Sequence, residues 1–189
     1  DAVSEFEGEV VALLLPGTMS RTAVMHHAVE RATGAMLLMV PPGVATRGGF
    51  LRPLMRACEP GVAMVAGKLL DADAKVLRTT GPFDAASGRF EPADVGRAAW
   101  SPEVADDRGA NAFGDQVLLV PAQVYRAGTW PSADVPWETA VAMFSSGLQG
   151  EKRFVASSVA YRLPATSNAT ESDEASAVMV QQTGSSSQA

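Results

Sequence analysis

The chain of 189 residues has one cysteine, Cys58, and two histidines, His26 and His27. A single cysteine excludes an intrachain disulfide, and no C-x-x-C pair offers a zinc or dithiol site. Cys58 follows the apolar spacing of its segment and is expected to be an inert core thiol. The histidines are neighbours, so on a helix they point about 100° apart and cannot meet one metal together. Surface or packing roles are expected for both. No apolar run approaches the ~20 residues of a membrane-spanning helix. Basic surplus is missing as well: the formal charge is −6, and because Glu171, Asp173 and Glu174 lie in a tail without Lys or Arg, residues 1–163 carry −3. That balance argues against a nucleic-acid partner, which needs a basic face. The serines lack a nucleophile elbow. Gly43, Gly48 and Gly49 near Arg47 fit neither the P-loop nor the dinucleotide fingerprint. There is no internal repeat. DAVSEFEGE has neither the basic nor the apolar part of a signal peptide, and the chain starts at Asp1. A processed product or a piece of something longer is expected, in a reducing, cytoplasmic compartment. The sequon Asn168-Ala169-Thr170 would matter only in a secreted protein.

What is present is an ordinary globular composition, 47% apolar and 19% charged. A domain of this length buries roughly 70% of its unfolded surface and needs no covalent staples. VVALLLPG, Val10 to Gly17, reads as a buried strand closed by Pro-Gly. Ser20 can cap a helix carrying Met25, Ala28, Val29 and Ala32 on one stripe, ended by Gly34. Ala35 to Val40 is a second strand, Leu51, Leu54, Met55 and Cys58 mark a second helix, and Val62 to Ala66 a third strand. Alternation of this kind predicts an α/β fold, a mostly parallel mixed sheet with flanking helices. Lys68 to Leu70 and Val76 to Thr79 flank a hairpin turn at Asp71 to Ala74. Thr80 to Ala112 is a long loop without periodicity, a length often functional. Gln116 to Val120 reads as a strand and Pro121 to Ala127 as a short helix. A stronger helix follows on Trp137, Ala140, Val141, Phe144 and Leu148, then a last strand from Phe154 to Tyr161. The organisation expected is one α/β domain over 1–164 and a disordered or extended tail over 165–189.

Carboxylates are the remaining chemistry: Asp71, Asp73, Asp106, Asp107, Asp115, Asp134 and Glu138. Most such acids are solvated surface groups. Glu138 stands apart, in the first turn of its helix after Pro136, where the helix dipole favours a carboxylate. That placement suits a general base and a simple cap equally.

The order of these segments, from Val10 to Leu163, resembles the family-2 glycosyltransferases, inverting enzymes of the GT-A (Rossmann-like) fold that use nucleotide-diphosphate sugars. The specific match is EPGVAMVAGKLLDADAKV, Glu59 to Val76. Arg31-Ala32-Thr33-Gly34 is similar to the end of a family helix, and GDQVLLVPAQVYRAGTW, Gly114 to Trp130, to a later strand and short helix. The resemblance implies a catalytic carboxylate, the general base, at Glu138, in the place of a Glu-Asp pair reduced here to Glu138-Thr139. It also implies a metal motif after Ala35 to Val40, which here is Pro41, Pro42 and Gly43. The family's Mg²⁺ or Mn²⁺ is therefore expected to lack its ligand, and no metal is expected. Arg162 stands where a late histidine is common, and the family's first βαβ portion, a unit of ~30 residues, has no counterpart in the few residues before the first strand.

Three readings follow. The first is a degenerate, non-catalytic binding or scaffolding domain, with a nucleotide sugar as the possible ligand. The second is an active, metal-independent inverting transferase with Glu138 as base, Arg47 or Lys68 taking the metal's place at the diphosphate and Asp115 at the substrate. The third is a structural subunit whose C-terminal tail lies on a protein partner or a second copy.

Overall fold

The computed structural model describes residues 9–12, 19–132, 135–164 and 178–181. Strand β1 (Glu9–Ala12) pairs antiparallel with a strand of the tail, Val178–Gln181 (β11), rather than with the main sheet. Residues 13–17 of the expected first strand, and the tail at 165–177 and 182–189, lie outside the described residues.

Helix α1 (Arg21–Arg31) begins as its sequence dictates. Ser20 Oγ accepts the Ala23 amide proton at 3.2 Å, and Thr22, Val24, Ala28 and Val29 form the buried face. Then come β2 (Met36–Met39), β3 (Val44–Thr46), α2 (Leu51–Ala57) and β4 (Val62–Leu70). β4 is one strand, buried throughout, where the sequence suggested two with Gly67 between them. Asp71 Oδ1 accepts from the amides of Asp73 (2.9 Å) and Lys75 (2.8 Å), and this Asx turn folds β5 (Val76–Arg78) back onto β4.

The long loop is built, not structureless. It contains a hairpin of β6 (Phe83–Asp84) and β7 (Arg89–Phe90), a 3₁₀ turn at Pro102–Val104, and β8 (Arg108–Gly109). Polar bonds substitute for the missing periodicity: Thr80 Oγ1 donates to the Ala112 carbonyl at 3.1 Å, and Asp94 is gripped by Arg97 and Arg108. The chain continues through β9 (Leu118–Pro121), α3 (Ala122–Ala127), α4 (Trp137–Gly147) and β10 (Glu151–Arg162).

The main sheet has seven strands in the order β2-β9-β4-β10-β3, with β5 beside β4 and β8 beside β10. This corrects the expectation of a mostly parallel sheet: among the described residues only β4 and β10 pair in parallel. Strand-helix-strand order does make β2 and β4 point the same way. It does not decide what lies between them, and β9, from much later in the chain, inserts there and runs against both. The α/β class itself holds. Alternate residues of β4 face two cores, Met64 and Ala66 toward Val29, Val141 and Phe144, and Val65 and Leu69 toward Phe50 and Leu54. Among the described residues no helix is long and apolar enough to cross a membrane.

Candidate functional site at the ends of β2 and β10

β2 runs out at Pro41, Pro42 and Gly43. Pro41 is buried, Pro42 and Gly43 are exposed, and Gly43 takes φ +67° while its carbonyl accepts from the Leu163 amide at 2.8 Å. A Cβ at Gly43 would meet nothing within 4 Å, so the place where the resemblance sets a metal-binding acid is open space.

The acid near this strand end is Asp115, in the turn before β9. Its side chain is 15% exposed and has three donors around it: Trp137 Nε1 at 2.8 Å, Arg162 Nη2 at 3.6 Å and Arg21 Nη1 at 3.8 Å. The first is a hydrogen bond, the others ion-pair separations. Arg162 Nη1 also reaches the Pro42 carbonyl at 3.4 Å. The ends of β2 and β10, the turn before β9 and the first turns of α1 and α4 thus meet at one rim. Its charge is carried by two arginines against one aspartate.

Glu138 is a neighbour of this rim. A Cβ on Gly114 would lie 3.0 Å from its Oε1, so glycine is what lets the Asp115 turn pack against the start of α4. The carboxylate is occupied: Arg78 Nη2 donates to Oε2 at 3.1 Å, and Arg78 Nε stands 2.5 Å from Oε1, close in distance but off the hydrogen-bond axis. Arg78 comes from β5, far away in the chain.

The two basic residues expected at a diphosphate lie elsewhere. The Arg47 guanidinium sits over the Tyr161 ring, 4.8 Å from its centre. Lys68, 4% exposed, extends from β4 to donate Nζ to the Ala99 carbonyl at 2.8 Å, which ties the long loop to the sheet. Burial, with Arg108 nearby, pulls its pKa below the ordinary lysine value. The structure therefore brings Pro41, Pro42, Gly43 and Asp115 together, with Glu138 adjacent, and leaves Arg47 and Lys68 in packing roles. Cys58 caps α2, half-buried, and burial raises its thiol pKa against the lowering effect of Arg153. His26 lies edge-on to Tyr125 and Trp130, its ring centre 6.1 and 6.0 Å from theirs.

Sequence reasoning missed Arg21 and Arg78 altogether. Arg162 carried a signal, its place at the late histidine. Arg78 carried none, since nothing local marks a β-hairpin arginine as the partner of a helix-start glutamate.

Beneath the rim lies a cavity of about 60 Å³ between β2, α1 and α4. Its walls include Val24, Ala28, Leu37, Met39 and Val141, and its mouth Arg21, Pro42, Asp115 and Trp137. Divalent-metal binding does not fit the rim, because its one carboxylate already faces two guanidinium groups, whose charge opposes a cation, and Gly43 offers no side-chain oxygen. Among the described residues no group of three or more His, Cys, Asp or Glu side chains is disposed to hold a metal. No family model matches the chain, and no curated protein does.

Proposed function

We propose that the chain is a glycosyltransferase-like domain of the GT-A type that binds a nucleotide-sugar ligand at the Asp115 rim without transferring the sugar. The observation that carries this reading is the Arg78–Glu138 pair. An inverting transferase needs a carboxylate free to take the acceptor's proton, and here both carboxylate oxygens face Arg78. Arg21 and Arg162 supply positive charge for a diphosphate, and their separations of 3.8 and 3.6 Å from Asp115 leave donors to spare. The test is a panel of uridine and guanosine diphosphate sugars assayed in parallel for binding by calorimetry and for release of nucleoside diphosphate. Binding without release is expected; sustained release in the presence of an acceptor overturns the reading.

The two arginines also favour a second reading, an active metal-free transferase in which they stabilise the leaving diphosphate. Under that reading Glu138→Gln abolishes turnover while leaving folding intact, and an unaffected rate refutes it.

A further inference from the structure

We propose that the cavity beneath the Asp115 rim receives an acylamino group, so that the ligand is a nucleoside-diphosphate sugar carrying an N-acetyl substituent. The inference rests on the nucleotide-sugar reading above and adds to it the class of sugar.

The cavity is apolar on its walls, but one polar side chain reaches it. Gln116, in the turn just before β9, is 1% exposed and lines the cavity together with Leu118. Its Nε2 donates to the Gly67 carbonyl at 2.9 Å. A carbonyl can only accept, so this bond orients the amide and leaves Oε1 as an acceptor. Among the described residues Oε1 has no partner. A buried acceptor without a donor is unfavourable.

A group complementary to this space must bring one donor, fill a few heavy atoms' worth of apolar volume and carry no positive charge. The last condition comes from Arg21 at the mouth and Arg162 beside it, two cations against the single Asp115 carboxylate. An ammonium is repelled there, and a hydroxyl satisfies Oε1 but leaves the aliphatic space unfilled. An acetamido group meets all three conditions. Its N–H donates to Gln116 Oε1, its methyl lies against Ala28 and Val141, and its carbonyl turns to the mouth, where Arg21 has donors to give. The phosphates then remain at the rim with Arg162.

The experiment is calorimetry of the full chain with three probes alike except at C2: uridine diphosphate N-acetylglucosamine, uridine diphosphate glucose and uridine diphosphate glucosamine. The acetamido probe is expected to bind about tenfold more tightly than the hydroxyl probe, and the amine more weakly than either. Two variants assign the preference to the cavity: Gln116→Leu removes the acceptor and Ala28→Leu fills the space. Each should bring the acetamido-to-hydroxyl ratio to about one, with melting temperature confirming the fold. If Gln116→Leu does not fold, Ala28→Leu decides. Equal affinity of the natural chain for the acetamido and hydroxyl probes overturns this inference and leaves the nucleotide-sugar reading standing. A preference that survives the variants also overturns it, and no binding of any probe overturns both.

Discussion

At Asp115 a single carboxylate is shared among an indole N–H and two guanidinium groups, and the sharing is unequal. Trp137 makes the one short bond, whereas Arg21 and Arg162 stand off at ion-pair distance, both partly exposed to water. Exposed pairs of that kind are worth little individually. The aspartate thus acts as a counter-ion that a stronger anion can displace. Asp115→Asn keeps an oxygen for the Trp137 bond and removes the charge. It is expected to tighten pyrophosphate or uridine diphosphate binding by about two- to fivefold at low salt, with the gain fading as ionic strength rises. Titration calorimetry at two salt concentrations checks this, and unchanged or weaker binding would mean that the arginines do not meet the phosphates. Glu138 shows how far a residue's role is legible alone. Its place after Pro136 at a helix start could be read from the chain, but the Arg78 that occupies it could not, because the pair joins residues 60 positions apart in β5 and α4.

Among the elements, β10 is the least regular and does the most to shape the rim. Val155 pairs with Gly67 and Val159 with Lys68, so Ala156, Ser157 and Ser158 bulge out of the ladder. Two bonds hold the bulge: Asp107 Oδ1 accepts from the Ala156 amide at 2.8 Å and Ser158 Oγ donates to the Phe50 carbonyl at 2.8 Å, after which the strand resumes pairing. The strand can then end with Arg162 at Pro42. Gly67 makes room for this. A Cβ there would lie 2.6 Å from the Ser158 carbonyl oxygen and 2.8 Å from its Oγ, and a backbone atom cannot swing aside as a side-chain tip can. Gly67→Ala is expected to cost about 1–3 kcal/mol of stability through overpacking, read as a lowered urea midpoint. A neutral substitution would show that the bulge relaxes freely. Gly67 looked like a break between two strands in the sequence because glycine weakens strands; the structure uses it as a point of close approach.

For the molecule as a whole, Lys68 is the notable cost. It is a cation buried in the central strand, held to the long loop by one bond to the Ala99 carbonyl. Burial and Arg108 lower its pKa in the folded chain. The unfolded chain therefore binds this proton more tightly, and Lys68 makes stability rise as pH climbs from the lowered value toward 10.5. Below that window the charging cost is present in full. Lys152, also lowered by burial, acts in the same direction, whereas the raised pKa values of Tyr125 and Cys58 act in the opposite one. The informative quantity is thus the stability of the natural chain minus that of Lys68→Met. It is expected to increase as pH rises toward 10.5, about 1.4 kcal/mol for each pKa unit of lowering, as measured by urea unfolding. A flat difference would mean that Lys68 is as well solvated folded as unfolded.

The sequence by itself determined the local elements: the Ser20 cap and the α1 stripe, the Asx turn after β4, and the helix start that presents Trp137 and Glu138. Each depends on residues within a few positions of one another, where periodicity, capping and turn chemistry act directly. Tertiary structure alone decided that β9 enters between β2 and β4, that Arg78 occupies Glu138, and that Arg162 rather than Arg47 stands at Pro42. Those outcomes join segments distant in the chain. They follow from which apolar faces bury one another and where glycine allows close approach, quantities that no local window contains.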